Sequence, residues 1–295
     1  MTAHVSVLSA EALRFLRPER GGLFVDCTVG LGGHARALLE AGASRVIGFD
    51  RDAAALAIAR ATLAPWADRV DLVHADYRSF EHELDRRGIG QIDGALADLG
   101  VSSMQLDTAE RGFSFMRDAA LDMRMNTAAG PTAADLLATA DEEAIANAIY
   151  EFGEERFSRR IARAIVETRH AAPIDTTLKL ATLVRRSVPY RGYQRIDPAT
   201  RTFQALRIWV NQELEGLGLF IERLVRRLAI GARLVAISFH SLEDRIVKHT
   251  LRALTQGTDI AVSVLTKKPV IAGDDELGIN PRARSAKLRA AERVA

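Results

Sequence analysis

Over the first hundred positions, apolar residues recur in two alternating patterns. Short apolar runs at residues 23–27, 45–49, 70–74 and 94–98 are bounded by turn residues and too brief for helices, which predicts buried strands. Between them, apolar residues spaced by threes and fours predict helices. One opens at Ala35 and ends near Gly42, one covers 52–63 with Asp52 as its N-cap, and one lies around 80–87. A further helix over residues 4–17 precedes the first strand. Strict alternation of strand and helix implies a parallel, doubly wound sheet with right-handed crossovers, and such sheets bind ligands at the carboxyl ends of their strands. Asp26, Asp50, Asp76 and Asp98 all stand at or just past such ends.

The alternation stops at Gln105. From there to Thr202 the pattern is helical, at 132–139, 142–150, 155–168 and 177–187, with Pro131, Pro173, Pro189 and Pro198 as punctuation. This predicts an all-helical domain at residues 105–204, inserted into a sheet domain made of 1–104 and 205–295. Phe203, Leu206, Val210, Leu214, Leu217, Ile221, Leu224 and Leu228 then share one helical face, which predicts a single long helix ended by Gly231. Residues 234–239 read as a fifth core strand, and 260–266 and 286–294 as an antiparallel pair at the sheet edge.

Composition narrows the class. A chain of 295 residues with 48% hydrophobic and 26% charged residues is that of a globular protein large enough for one core and an insert. The single cysteine, Cys27, excludes an intramolecular disulfide and argues against a cysteine metal site. The N-terminus lacks the basic and apolar regions of a signal peptide, and no stretch approaches the length of a membrane span. The expectation is a cytoplasmic protein without a membrane partner. Net charge is only +2, but its distribution is uneven. Residues 105–155 carry eleven acids against three arginines, whereas 156–207 carry twelve bases against three acids.

The candidate chemistry begins at Phe24-Val-Asp-Cys-Thr-Val-Gly-Leu-Gly-Gly-His-Ala35, a strand followed by a glycine turn and a helix. Gly30, Gly32 and Ala35 fit G-x-G-x-x-[GA], and Asp50 follows at the distance of a ribose-binding acid. Glycines after a strand also serve plain turns. With the acid in place the pattern favours a nucleoside-bearing ligand, either a dinucleotide or S-adenosylmethionine.

A second run, Asp98-Leu-Gly-Val-Ser-Ser-Met-Gln-Leu-Asp107, narrows the choice. Together with Asp26-x-Thr-x-Gly-x-Gly-Gly-His34 it resembles the ribosomal RNA small subunit methyltransferase H, or MraW, family. The likeness extends through Arg111-Gly-Phe-Ser-Phe115, Leu121-Asp-Met-Arg-Met125, Pro198-Ala-Thr-Arg-Thr-Phe-Gln-Ala-Leu-Arg207, Ser238-Phe-His-Ser-Leu-Glu-Asp-Arg245 and Asn280-Pro-Arg-Ala-Arg-Ser-Ala-Lys-Leu-Arg289, nearly the whole chain. The resemblance implies an α/β fold with a class I methyltransferase (Rossmann-like) sheet and an inserted all-helical domain. It implies S-adenosyl-L-methionine as cofactor, small ribosomal subunit RNA as partner, and methylation of N4 of a cytidine in the decoding centre. No metal is implied, and a homodimer is allowed for.

Cofactor contacts implied by the resemblance are Gly32, Gly33, His34, Asp50, Tyr77, Asp98 and Gln105. Asp50 would accept from the ribose hydroxyls and Tyr77 would stack on adenine. Asp98 would be the catalytic acceptor of an N4 hydrogen, with Ser102 and His240 as helpers. The departures from the family pattern are Cys27 for glycine, Ala35 for a hydroxyl residue, Met104 and Ala120 for prolines, and Asp197 for histidine. Arg185, Arg186, Tyr190, Arg191, Tyr193 and Arg195 interleave guanidinium groups with aromatic rings in a predicted loop, which suits unstacked RNA as well as a solvated surface. Two alternatives stand beside this reading. A nicotinamide-dependent oxidoreductase uses the glycine turn but has no place for the run at 98–107. A non-catalytic RNA-binding assembly factor would keep the pocket as a relic.

Overall fold

The computed structural model describes residues 6–189, 196–257 and 259–295. It divides into two compact units, one ending at Gly100 and resuming at Gly216, the other Val101–Glu215.

The first unit opens with α1 (Ser9–Leu16), β1 (Leu23–Asp26), α2 (Gly33–Glu40), β2 (Arg45–Asp50), α3 (Ala53–Thr62), β3 (Val70–His74), α4 (Phe80–Arg86) and β4 (Ile92–Asp98). The α1 helix starts later than its apolar pattern suggests. Leu8 is left-handed (φ 52°), and its N–H donates to Glu276 Oε1 at 2.7 Å rather than entering a helical ladder. Asp52 caps α3, accepting from Ala54 N–H at 3.0 Å. β1 pairs in parallel with β2 on one side and β4 on the other. Gly94 allows the β1–β4 pairing to pack, because a Cβ there would collide with the Phe24 ring.

The second unit contains α5 (Ser103–Asp107), α6 (Ala133–Thr139), α7 (Glu142–Gly153), α8 (Ser158–Ala171), α9 (Thr177–Ser187) and α10 (Ala199–Asn211). Its core is a separate cluster in which Leu137, Ile145, Ile149, Ile161, Ile165, Leu180, Val184 and Leu206 are all buried. Among its described residues extended pairing is confined to an isolated bridge, Ala120 with Thr176. Helix α5 forms without a proline at position 104, through a reciprocal capping box between Ser102 and Gln105. Asp197 likewise has a local role, accepting from Ala199 N–H at 2.9 Å at the head of α10.

The chain returns to the first unit with α11 (Leu217–Arg227), β5 (Leu228–Ser238), α12 (Ser241–Leu254), β6 (Val262–Val264), α13 (Asp274–Ile279) and β7 (Lys287–Arg293). The single long helix expected over 203–228 is therefore two. The break follows Asn211, whose buried amide is held by Met125 N–H (2.8 Å), Met123 C=O (2.7 Å) and Arg207 C=O (2.9 Å). Gln212 (φ 51°) and Gly216 (φ 66°) then turn the chain through left-handed geometry. The apolar spacing carries across the break because both helices bury one face, each in its own core.

Among the described residues the sheet has seven strands in the order β3-β2-β1-β4-β5-β7-β6. The first five are mutually parallel, while β7 runs antiparallel to both β5 and β6. The core above it joins Leu16, Phe24, Leu38, Val46, Leu56, Leu96, Val235 and Ile237.

Candidate functional site

The strand order sets the carboxyl ends of β3, β2, β1, β4 and β5 side by side. At about 4.8 Å between neighbours this row is about 19 Å long, the scale of an extended nucleoside with its side chain. In that order the row carries Tyr77, Asp50, the glycine turn, Asp98 and His240. Residues from five separate stretches of sequence are thus aligned by the sheet.

The turn after β1 is built by hydrogen bonds to both neighbouring strands. Cys27 N–H donates to Leu96 C=O (2.8 Å) and Val29 N–H to Phe49 C=O (2.8 Å). Thr28 N–H donates to Asp26 Oδ1 (3.2 Å), and Thr28 Oγ1 accepts from Asp98 N–H (2.7 Å). Thr28 therefore ties the end of β1 to the end of β4. Gly30, at φ 52°, turns its N–H to Asp50 Oδ2 at 2.8 Å, while Asp52 N–H donates to Asp50 Oδ1 at 2.8 Å. Each Asp50 oxygen is held by one backbone donor and retains a further acceptor position, which preorganises the carboxylate for hydroxyl groups. Burial raises the Asp50 carboxyl above its ordinary value despite those two donors.

Gly32 (φ 88°) and Gly33 close the turn. At Gly32 the left-handed backbone favours glycine and a Cβ would press on Leu63 at 3.2 Å, whereas at Gly33 a Cβ would meet only the Ser6 hydroxyl. At Gly33 the α2 helix begins without a side-chain cap, leaving backbone N–H groups of its first turn for an anionic group such as a carboxylate.

His34 is 7% exposed, and its Nε2 lies 3.7 Å from Asp98 Oδ2, beyond hydrogen-bond length. That nitrogen, Asp98 Oδ1 and Asp26 Oδ2 are buried without hydrogen-bond partners. Burial lowers the imidazole's affinity for a proton, but Asp98, then Asp26 and Glu276, outweigh it and raise His34 above its usual value. Asp26 is wholly buried, and burial pushes its carboxyl up to about 6. His34 and the Thr28 N–H pull the other way, while Asp98 and Asp50 add to the rise. Asp26 and Thr28 belong to the site but carry no role in the sequence reading. Their signal was present in the Asp26-x-Thr spacing before the glycines, and only strand pairing shows what it does.

Tyr77 stands past the end of β3 with its ring centroid 4.4 Å from that of Phe220, tilted by 51°, and with the Arg78 guanidinium 5.6 Å over the ring. Asp76 accepts from Arg78 N–H at 2.9 Å and is a local cap. His240 follows β5, with Nε2 3.1 Å from Glu243 Oε1 but not aligned for a hydrogen bond. Gln105 and Ser102 belong to the second unit. There Ser102 N–H donates to Gln105 Oε1 (3.0 Å) and Gln105 N–H to Ser102 Oγ (3.2 Å), so both side chains also serve the helix start.

Of the predicted basic loop, Arg185 and Arg186 lie instead in the last turn of α9, whose apolar spacing runs on to Ser187; Arg185 pairs with Asp197, Nε to Oδ2 at 3.0 Å, and its guanidinium lies 5.5 Å over Phe115. Burial works against the Asp197 charge, but Arg185 prevails and lowers its carboxyl. Arg186 is exposed and pairs with no described residue. Tyr190, Arg191, Tyr193 and Arg195 lie outside the described residues.

A parallel five-stranded core extended by an antiparallel β7, with a glycine turn after β1 and an acid ending β2, is the class I methyltransferase arrangement of the Rossmann-like α/β fold. By sequence the chain matches the MraW methylase family over residues 1–294, and it belongs to that family. Relatives include the ribosomal RNA small subunit methyltransferase H of Geotalea uraniireducens, 49% identical over 99% of this chain and 98% of that protein. The protein of the same name from Sorangium cellulosum is 52% identical over 99% and 91% of the two chains. A solved rRNA methylase from Streptococcus thermophilus aligns over 99% of this chain and 100% of its own, with 11% identity and a TM-score of 0.44. Among the described residues no helix is long and apolar enough to cross a membrane.

Proposed function

We propose that this chain methylates the N4 amine of a cytidine in the decoding centre of small-subunit ribosomal RNA, using S-adenosylmethionine. The observation that carries the reading is Asp98, a carboxylate at the end of β4 whose Oδ1 is buried without a partner and whose backbone is fixed by Thr28. The names of the relatives supply the RNA class, and the run at 98–107 links the chain to the cytosine-N4 type.

The residues present fit the cofactor. Asp50, clamped by Gly30 and Asp52, is set to accept two ribose hydroxyls. Tyr77 offers a ring for adenine, and the uncapped start of α2 offers N–H groups to the methionine carboxylate. Gln105 completes the contact set that the family resemblance implies. When bound, S-adenosylmethionine supplies an electrophilic methyl group on its sulfonium.

The protein's task is then to align the amine and exclude water. The cytosine N4 lone pair is delocalised into the ring, and a hydrogen bond from N4 to Asp98 favours its rehybridisation. Asp98 also stands ready to take the proton that N4 sheds. The target base must be splayed from its stack to reach the strand ends. Arg185, Arg186, Tyr190, Arg191, Tyr193 and Arg195 are assigned to RNA contact, with Ser102 and His240 as helpers at the base.

The test is transfer of tritiated methyl from S-adenosylmethionine to small ribosomal subunits isolated from cells lacking this enzyme, followed by nucleoside analysis. N4-methylcytidine is expected. Binding of subunits without transfer would instead favour a non-catalytic assembly factor.

A further inference from the structure

At the end of the sheet opposite the row of acids, the amino ends of β1, β4 and β5 enclose a cleft of about 200 Å³. An irregularity in the sheet opens it. Ile92 pairs with Leu228 and Gly94 with Arg233, so Asp93 alone faces the stretch from Ala229 to Ala232, which bulges out of the β4–β5 ladder. Bulges bend a strand away from its neighbour and recur beside functional sites. Gly231 in the bulge is left-handed (φ 83°), as is Gly22 before β1 (φ 96°), where a Cβ would collide with Asp93. Glycine at 22 thus lets the Asp93 side chain lie against β1, and its Oδ2 accepts from Leu23 N–H at 2.7 Å.

The charges lining the cleft are unevenly matched. Arg233 is buried and engaged, with Nε donating to Glu292 Oε2 at 2.7 Å and Nη1 to Phe15 C=O at 2.9 Å. Arg17 and Arg20 line the same cleft but pair with no described residue. Other arginines at this end of the sheet have partners: Arg45 bonds Asp71, Arg227 bonds Asp85, and Arg293 bonds the carbonyls of Arg226 and Leu228. Two unmatched guanidinium groups therefore face a cleft lined by a single acid, Asp93, whose Oδ1 accepts from no described residue. Buried Leu16 and Phe24 back the cleft, while Ile230, 70% exposed, stands at its rim.

We propose that this cleft binds one ribose-phosphate unit, with the phosphate held by Arg17 and Arg20 and a ribose hydroxyl donating to Asp93. Planar guanidinium forks bond phosphate oxygens two at a time, and a carboxylate that accepts from the 2′-hydroxyl distinguishes RNA from DNA. The proposed function makes the RNA backbone the favoured source, and only the source rests on that reading. The length of β4 sets the cleft about 20 Å from the strand ends that carry Asp98. A backbone contact at that distance fixes the register of the RNA without reading its sequence.

The test compares wild type with Arg17→Gln/Arg20→Gln. Binding to small ribosomal subunits is followed against salt concentration, and the double variant should lose about 0.7 from the slope, one phosphate contact on a single strand. Arg14→Gln/Arg36→Gln, which removes the same charge from exposed positions outside the cleft, should keep the wild-type slope. In parallel, ribose 5-phosphate is titrated into protein whose cofactor site is filled with S-adenosylhomocysteine, and the amide signals of Gly22 and Gly231 are followed by NMR. They should shift in wild type and stay fixed in Arg17→Gln/Arg20→Gln. Asp93→Asn, which keeps an acceptor for Leu23 N–H, should weaken the response. Shifted amides with an unchanged slope keep the site and assign it to a free sugar phosphate. Unshifted amides, together with a slope that is unchanged or that falls equally in the charge control, overturn the proposal. Should the double variant fail to fold, unshifted amides in wild type overturn it alone. The methylation reading fails separately, if subunits gain no N4-methylcytidine while the cleft still responds.

Discussion

Removing the Asp26 charge should stabilise the cofactor-free protein, and the gain should depend on pH in one direction only. The fold raises this carboxyl from 3.8 to about 6, chiefly by burial, so the native state favours the protonated form. Below 3.8 the folded and unfolded chains both hold the proton and no cost arises. As pH rises towards about 6, the unfolded chain ionises while the native site resists, and native stability falls; above about 6 the full cost persists. A displacement of about two pH units at about 1.4 kcal/mol each gives about 3 kcal/mol. Asp26→Asn cannot ionise, yet it preserves volume and the acceptor for Thr28 N–H. Its advantage should be about 3 kcal/mol at pH 8 and under about 1 kcal/mol at pH 4. For a unit of this size the pH 8 gain corresponds to a rise in Tm of roughly 6 to 12 °C. Calorimetry of both proteins across that range, following the transition of the sheet unit, is the assay. A gain that is constant with pH, or a loss at pH 8, would refute the burial argument. The prediction also implies that the wild-type site sacrifices stability to keep a buried carboxyl at the end of β1.

Other substitutions separate the remaining roles. Asp50→Ala should leave the fold intact but weaken S-adenosylmethionine binding more than tenfold by calorimetry, since charge-assisted hydrogen bonds contribute about 1.5 to 3 kcal/mol; unchanged affinity would sink the ribose assignment. Asp98→Asn keeps an acceptor but loses basicity, so its single-turnover rate at saturating cofactor should fall by about 100-fold or more, with Asp98→Ala slower still. Recovery of the wild-type rate by both variants at saturation would make Asp98 a cofactor ligand only. Arg186→Glu should spare cofactor binding but weaken RNA binding and flatten its salt dependence by roughly 0.7 in slope, as expected for one lost phosphate contact on a single strand; an identical slope excludes this residue from the interface. Asn211→Ala should destabilise the helical unit by about 2 to 4 kcal/mol in denaturant melts, because it removes the buried amide that accepts from Met125 N–H and donates to Met123 C=O and Arg207 C=O.

The sequence by itself determined the alternation of strand and helix up to Asp98, the helical stretch that follows, and the acids at the strand ends. These features are local. Apolar spacing fixes which face each element buries, Asp52 caps α3 from within its own turn, and the glycine pattern needs no distant residue to be recognised. What it could not supply was any relation between segments far apart in the chain. The break between α10 and α11 depends on Asn211 reaching Met123 and Met125, contacts invisible to a helical period that continues unbroken. Arg185 reads as a free cation in a basic run, yet Asp197, twelve positions on, takes its charge. Strand order is decided by tertiary packing alone; it ties Asp26 to Asp98 through Thr28 and sets His34 Nε2 3.7 Å from Asp98 Oδ2. Burial raises the Asp26 carboxyl while nearby acids outweigh burial at His34, and both effects depend on the surrounding core and not on the neighbours in sequence.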